Sequence, residues 1–253
     1  MQTINYENGD KYMGQIKNGK RHGVGILIYK NGNRYEGDWQ YGLKQGKGTY
    51  IFKSGTKYEG QWVKDKKNGK GNYFYPNGDK YEGDWDNSRQ SGIGVYIFNN
   101  GDKYAGQFID GLPHGQGLYH FKNGNRYQGI WVKGNMHGQG SFFYSAGGGY
   151  DGDWVEDKRE GQGNLFLSKN NGYQGTWKDD KRNGHGKYFF ANGEYYEGNW
   201  VDGKKHGKGK FRYANGDVFE GVWRDDVRHG SGMYTYSSGK QEKHDYIHDK
   251  RIG

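Results

Sequence analysis

The 253-residue sequence has no cysteine, two prolines and four methionines. Without thiols there can be no disulfide, no thiolate nucleophile and no cysteine-ligated zinc or iron–sulfur site. Small secreted scaffolds usually lean on disulfides, so their absence favours an intracellular location. Long apolar runs are missing too: nothing approaches the roughly 18–20 residues of a membrane-spanning helix. Met1 to Asp10 has neither the basic nor the apolar region of a signal peptide. Leu, Ile, Val and Phe together number only 38, a poverty that by itself points to disorder. Two abundances oppose that reading. There are 24 Tyr, 12 Phe and 8 Trp beside 49 Gly, a composition suited to short strands, many turns and an aromatic buried surface. The formal charge of +9 suits acidic partners.

Self-similarity organises the whole chain. Trp39, Trp62, Trp85, Trp131, Trp154, Trp177, Trp200 and Trp223 stand in one phase of a 23-residue period, and Ile16 and Phe108 fill the two skipped slots. Four residues before each slot comes an aromatic, as in Tyr12, Tyr35, Tyr58, Tyr81, Tyr127 and Phe219, with glycine midway. Seven residues past the slot a Gly-x-Gly pair begins, as in Gly46/Gly48 and Gly230/Gly232. A half unit covers 1–11, full units run from 12 to 241, and 242–253 is a degenerate terminal unit or tail. There Glu242 and His244 replace the Tyr and Gly that are due, while Tyr246 keeps the Trp slot and Gly253 a glycine slot. Terminal units of repeat arrays are atypical because they cap.

Tyr35, Gly37 and Trp39 alternate with Glu36 and Asp38, the period of a half-exposed strand. Gly46, Gly48, Tyr50 and Phe52 share a face in the next segment, and Gln40 to Gln45 is expected to form a loop of about six residues between the two. Glycine normally weakens a strand. Here it falls on the aromatic face of every unit, which leaves room for a ring to lie flat, so one sheet covers its own face. A lone unit buries too little to offset the ordering of its backbone, about 1–2 kcal/mol per residue, and must stack on neighbours. The predicted fold is all-β: an elongated single-layered antiparallel sheet of about ten to eleven β-hairpin repeats, about 100 Å long at ~4.8 Å per strand.

The runs Tyr35-Glu36-Gly37-Asp38-Trp39, Gly46-Lys47-Gly48-Thr49-Tyr50 and Asn77-Gly78-Asp79-Lys80-Tyr81-Glu82-Gly83-Asp84-Trp85 resemble the MORN repeat family, over essentially the full length. The resemblance implies an array of antiparallel hairpins. It also implies a setting, since such arrays occur in cilia, including radial spoke heads, in parasite and ciliate cytoskeletons, and beside membrane-junction proteins and phosphoinositide kinases. Departures are local: Ser145 to Gly149 replaces the usual turn, and Asn171-Gly172 has slipped two residues toward its Tyr.

Catalytic chemistry is hard to place on such a chain. Gly14-x-x-x-x-Gly19-Lys20 and Gly198-x-x-x-x-Gly203-Lys204 miss the Ser/Thr of a phosphate loop and sit in hairpins, and Gly147-x-Gly149-x-x-Gly152 precedes no helix. His22, His114, His137, His206 and His229 share a phase and read as loop residues, too far apart to share zinc. His244, Asp245, His248 and Asp249 have a spacing that chelates metal only on a helix. No cofactor, metal or catalytic residue is expected, and the reading is not an enzyme. The aromatic face (Tyr35, Trp39, Tyr58, Trp62, Tyr81, Trp85, Tyr127, Trp131, Trp154, Trp177, Trp200, Trp223) is either fully self-covered or a groove for a peptide. Basic residues after each Trp slot, among them Lys20, Arg21, Lys66, Lys67, Arg159, Arg182, Lys204, Lys205 and Arg228, would make a stripe along the loop edge. That stripe is either simply solvated or docks on acidic protein tails or anionic lipid. The leading expectation is a structural scaffold that binds other proteins of a cytoskeletal or axonemal assembly, with a radial spoke head subunit the sharpest version. Alternatives are a module on anionic lipid and a self-associating homodimeric spacer that pairs through its terminal strands. The rings are committed to the core, which argues against nucleic acid.

Overall fold

A computed structural model describes residues 1–252; the glycine slot at Gly253 lies outside the described residues. Among these residues there are strands and turns but no helix. The chain divides into two compact units, one ending at Lys122 and one beginning at Asn123. In the first, the strands are β1 (Gln2–Asn5), β2 (Lys11–Lys17), β3 (Lys20–Ile28), β4 (Arg34–Gln40), β5 (Leu43–Ile51) and β6 (Lys57–Val63). They continue as β7 (Lys66–Phe74), β8 (Lys80–Asp86), β9 (Arg89–Ile97), β10 (Lys103–Ile109) and β11 (Leu112–His120). The second unit opens with β12 (Arg126–Val132), β13 (Asn135–Phe143), β14 (Gly149–Val155), β15 (Lys158–Ser168), β16 (Asn171–Lys178) and β17 (Lys181–Phe189). It closes with β18 (Tyr195–Val201), β19 (Lys204–Arg212), β20 (Val218–Arg224), β21 (Val227–Thr235), β22 (Gln241–Ile247) and β23 (Lys250–Arg251). Within each unit every strand pairs antiparallel with its neighbour in sequence, so each is an open meander of hairpins.

The register aligns one glycine from each of β2–β11 in the first unit and of β12–β21 in the second. In the first unit, the pairs Gly48↔Gly60, Gly60↔Gly71, Gly71↔Gly83 and Gly83↔Gly94 run straight across the sheet. In the second, Gly163↔Gly175, Gly175↔Gly186 and Gly186↔Gly198 do the same. The fully buried ring of Tyr58 lies across one such pair: a Cβ on Gly71 would stand 2.6 Å from its Cε2 and Cζ. Side chains elsewhere in a sheet stand up from it, so only glycine lets a ring lie down. The other glycine of each Gly-x-Gly serves the backbone. Gly69 sits at φ 69°, where the register shifts between Gly60 and Trp62, a bulge whose left-handed residue suits glycine. At the bulge the Tyr58 hydroxyl donates to the Gln61 carbonyl at 2.9 Å. Tyr12, Tyr35, Tyr81 and Tyr104 repeat that bond, which is why the slot favours Tyr over Phe.

One expectation is corrected. The Gln40 to Gln45 loop does not form: Tyr41-Gly42 is a two-residue turn and β5 starts at Leu43. Lys64-Asp65, Asp179-Asp180 and Asp225-Asp226 turn likewise, with φ of 46–75° at these six residues, the mirror-image turn that matches strand twist. The Gly-poor turns hid this in the sequence, and the cost of their left-handed residues is offset by bonds described below. The connection at the other end of each hairpin is longer; Gly78 N–H donates to the Tyr75 carbonyl and Tyr75 N–H to that of Asp79. In the repeat where Asn171-Gly172 has slipped, this connection shrinks to the two-residue turn between Ser168 and Asn171, and β15 lengthens to 11 residues. Residues 241–247 and 250–251 are strands β22 and β23, paired on β21 and on each other across a two-residue turn.

Two predictions follow from the ring-over-glycine packing. Gly71→Ala forces the Tyr58 ring off the sheet and costs about 1–3 kcal/mol. Gly69→Ala meets only the flexible Gln61 side chain and costs about 1 kcal/mol of left-handed strain. Urea midpoints followed by Trp fluorescence should fall further for the first, and the reverse order would contradict the packing. Burial also raises the hydroxyls of Tyr29, Tyr104 and Tyr173, which are pushed up to about 12. A raised folded value means that their contribution is complete below pH 10 and is lost from about 10 towards 12. The part of the tyrosinate absorbance at 295 nm that these buried hydroxyls contribute should therefore appear together with loss of the circular-dichroism signal, as a step above pH 10.

Candidate functional site

The aromatic side of the sheet carries three tiers. Lowest are the tyrosines that lie on glycine. Between them stand the tryptophans: Trp62 meets Tyr58 of its own repeat at 5.2 Å and Tyr35 of the preceding one at 5.4 Å, both edge to face. Its indole N–H donates to the Gly48 carbonyl at 3.1 Å. Trp39, Trp85, Trp154, Trp177, Trp200 and Trp223 bond the corresponding glycine carbonyls. Tyr35, Tyr58, Tyr81 and Tyr127, with these tryptophans and Trp131, are all buried; they are the core itself. Phe108 keeps two edge-to-face contacts, with Tyr81 and Tyr104, but has no indole to donate.

The exposed tier is a second row that the candidate aromatic set omitted. Tyr50, Tyr73 and Tyr96, opposite Tyr58 and Tyr81 in the register, are half-buried and pair with Phe52, Tyr75 and Phe98 at 4.5–4.6 Å. Their alternation with the Gly-x-Gly pair was the signal for them. Above this row lie cations. Arg21 is 4.3 Å from the Trp39 ring, Lys67 4.4 Å from Trp85, Arg159 4.2 Å from Trp177 and Arg182 4.2 Å from Trp200. Lys205 and Arg228 cover Trp223 and Tyr246 in the same way, and Lys44, missed in the sequence, stands 4.8 Å from Trp62. Because the turns are short, the basic residues sit on strands, and adjacent ones face opposite sides. Lys20, Lys66 and Lys204 therefore lie on the far face, exposed, with Lys66 Nζ on Asn87. Of the nine candidates, six lean over rings and three do not.

Carboxylates join many of the repeats to the next, at both ends of the hairpins. At the short turns, Asp65 accepts the Lys44 N–H, Asp180 both the Arg159 N–H and its Nε, Asp226 the Lys205 N–H, and Asp249 the Arg228 N–H and its Nε. Where the turn ends in glycine, the guanidinium bonds the backbone instead, Arg21 to Gly42 O and Arg182 to Gly203 O. At the long connections, Asp79 accepts the Asn99 N–H and the Tyr96 hydroxyl; Asp102 and Asp217 do the same one repeat along their own units. These bonds hold the three carboxyls below the usual range. In the sequence such acids read merely as charges interleaved with lysines.

The histidines are strand residues rather than loop residues, with His22, His206 and His229 half-buried and a ring nitrogen of each without a hydrogen-bond partner among the described residues. His244 is buried, stacks on Tyr234 at 5.0 Å and touches Glu242 at 3.0 Å. That bond, with those from Lys240 and Tyr236, pulls the Glu242 carboxyl down to about 2. The helical spacing considered for His244 to Asp249 does not arise, because these residues form a strand and a turn. Among the described residues no three His, Asp or Glu gather as a metal site. The slipped repeat opens a recess of about 370 Å³ lined by Leu165, Phe166, Tyr173 and Phe190.

The geometry defines a hairpin-repeat scaffold whose half-exposed aromatics follow the repeat, with a cation over a ring in seven of the ten full repeats. The family is equally plain: the MORN repeat profile matches residues 12–34, 35–57, 58–80, 81–103, 104–126, 127–149, 150–168, 173–195, 196–218 and 219–241, and the chain belongs to the MORN repeat family. Its break after 168 is where the connection shortens. No curated protein sequence matches the chain. Similar solved structures include the TCP10 domain of Danio rerio CPAP in complex with a peptide of Danio rerio STIL. It is 13% identical, with 96% of this chain and 97% of that one covered and a TM-score of 0.35. Another is the SAS-4 (dCPAP) TCP domain of Drosophila melanogaster with a proline-rich motif of Ana2, 16% identical over 70% of this chain and 85% of that one, with a TM-score of 0.32. At these scores the likeness carries no argument.

Lys67 stands out electrostatically. Burial alone pushes it down to about 8, whereas Asp65 and Asp226 oppose the same effect at Lys44 and Lys205. A depressed lysine costs stability at neutral pH, and that cost is relieved as pH rises from about 8 to about 10.4. Competitive acylation read by mass spectrometry should give Lys67 a midpoint near 8, and Ser88→Asp should move it towards about 10.4. An unmoved midpoint in that variant would contradict the charge argument.

Proposed function

We propose that this chain is a non-enzymatic scaffold that holds segments of partner proteins on its aromatic, cation-bearing face within a cytoskeletal assembly. The carrying observation is Tyr50 beneath Lys44 and Tyr73 beneath Lys67, with Arg21 over Trp39 one repeat earlier: half-exposed rings and fixed positive charge at one-repeat intervals. Aromatics with Arg and Lys at regular spacing suit an extended acidic segment better than a small molecule. Membership of the MORN family supports the cytoskeletal setting, and the ciliary axoneme, with a radial spoke head subunit as its sharpest form, is the assembly we favour. Anionic lipid is the weaker reading, because most of the basic residues it would need lean over rings or are bound to turn groups. On the far face Arg34, Lys57 and Lys80 are paired with Glu36, Glu59 and Glu82.

A tagged copy in detergent-extracted cells tests this. Retention in the cytoskeletal fraction through moderate salt is the expected result. Full release by detergent, together with liposome binding that falls steeply with ionic strength, would transfer the function to membranes.

A further inference from the structure

Three lysines occupy the position that leans over the next repeat's tryptophan: Lys44, Lys67 and Lys205. The short turn of the following repeat gives Lys44 and Lys205 an aspartate, Asp65 and Asp226, whose carboxylate accepts the lysine's own N–H. For Lys67 that place is taken by Ser88. Its hydroxyl accepts the N–H at 3.1 Å, so the backbone is satisfied and the charge is not. The Lys67 ammonium lies 4.2 Å from Tyr73, 4.4 Å from Trp85 and 5.3 Å from Tyr58 and makes no ion pair among the described residues, whereas Lys44 lies 3.9 Å from Asp65 and Asp226 acts on Lys205 through its charge without closing an ion pair. A recess of about 260 Å³ opens beside it, bounded by Tyr75, Gln90 and Gly111. The nearby acid, Asp110, is engaged with Arg89 at 2.6 Å.

We propose that this recess receives an acidic side chain of an extended polypeptide partner, whose carboxylate takes the place that Asp65 and Asp226 fill beside the other two lysines. The inference rests on the scaffold reading and names the chemistry of its site. A charge-assisted bond to a half-desolvated ammonium is stronger than one in open water. Spacing supports an extended partner. One repeat is two strands, about 9.6 Å, and three residues of polyproline II span about 9.3 Å, so residues three apart fall on successive repeats. Arg21, whose turn ends in Gly42, also has no turn carboxylate and lies two repeats from Lys67. A partner with acids six residues apart meets both.

Calorimetry on the full chain with acetyl-(Pro-Pro-Glu)4-amide and its Gln counterpart tests the site. Binding of the Glu peptide is expected, with the Gln peptide at least about tenfold weaker. Ser88→Asp, which supplies the anion internally, should weaken the Glu peptide by a similar factor while its melting temperature stays level or rises, because aspartate is the residue of equivalent turns. Lys67→Gln should weaken it as well. No binding of the Glu peptide, equal affinity for the two peptides, or undiminished binding to Ser88→Asp would overturn the proposal. The two readings fail separately. Wild-type chain retained in the cytoskeletal fraction with contrary peptide data removes the Lys67 site alone. Release of wild-type chain by detergent removes the scaffold reading and leaves the peptide data to decide the site.

Discussion

A tyrosine ring lying flat across two cross-strand glycines is the contact from which the other features of each repeat follow. A sheet ordinarily buries a face by packing against a second layer; here the second layer is the ring itself. The glycine Cα below leaves room for it, and the carbonyl of the same Gly48 accepts the indole of the next repeat's Trp62. The bulge at Gly69 displaces a carbonyl towards the Tyr58 hydroxyl, so the polar tip of a fully buried ring is satisfied without water. Ring, glycine, bulge and indole are thus one device, and altering any of them disturbs the others.

Repeats are coupled by separate kinds of link: indole to glycine carbonyl, turn acid to the preceding strand, and connection acid to the following connection. Each spans a single repeat, so stability is expected to be a sum of nearest-neighbour terms. The links need not fail together. Around Phe108 the indole is missing, and the cation position before it is Gln90, whose amide bonds the Tyr75 hydroxyl. At Gly147-Gly148 the connection keeps its shape, with Tyr144 N–H on the Gly148 carbonyl, but there is no side-chain acid to reach onward.

Much of this was legible because the period is strict. Eight tryptophans in one phase fix the repeat, the alternation of Tyr35, Gly37 and Trp39 against Glu36 and Asp38 fixes the faces, and the glycines on the aromatic face imply rings lying down. The short turns were not legible. Lys64-Asp65 has no glycine, and the reason that it tolerates two left-handed residues is that the Asp65 carboxylate accepts the backbone N–H of Lys44, 21 residues away. Misjudging that turn displaced the basic residues from strands into a loop, and a stripe along an edge was expected where the structure alternates them between faces. Which tyrosines would be core and which half-exposed was hidden for a similar reason. Tyr58 and Tyr50 are neighbours in the register, and only the bulge decides which of them reaches a displaced carbonyl.

An array in which every polar residue is matched by its neighbour has nothing left to offer a partner. Its individuality arises where an internal match is withheld. Asp65 and Asp226 spend their carboxylates on the lysine of the preceding repeat; Ser88 satisfies the same N–H and leaves the ammonium against its rings with its charge unopposed. The fold tolerates this because the backbone bond, not the charge pair, closes the junction between repeats. One aspartate-to-serine difference within a constant frame is therefore enough to turn a structural position into a recognition position, with the aromatic walls already in place.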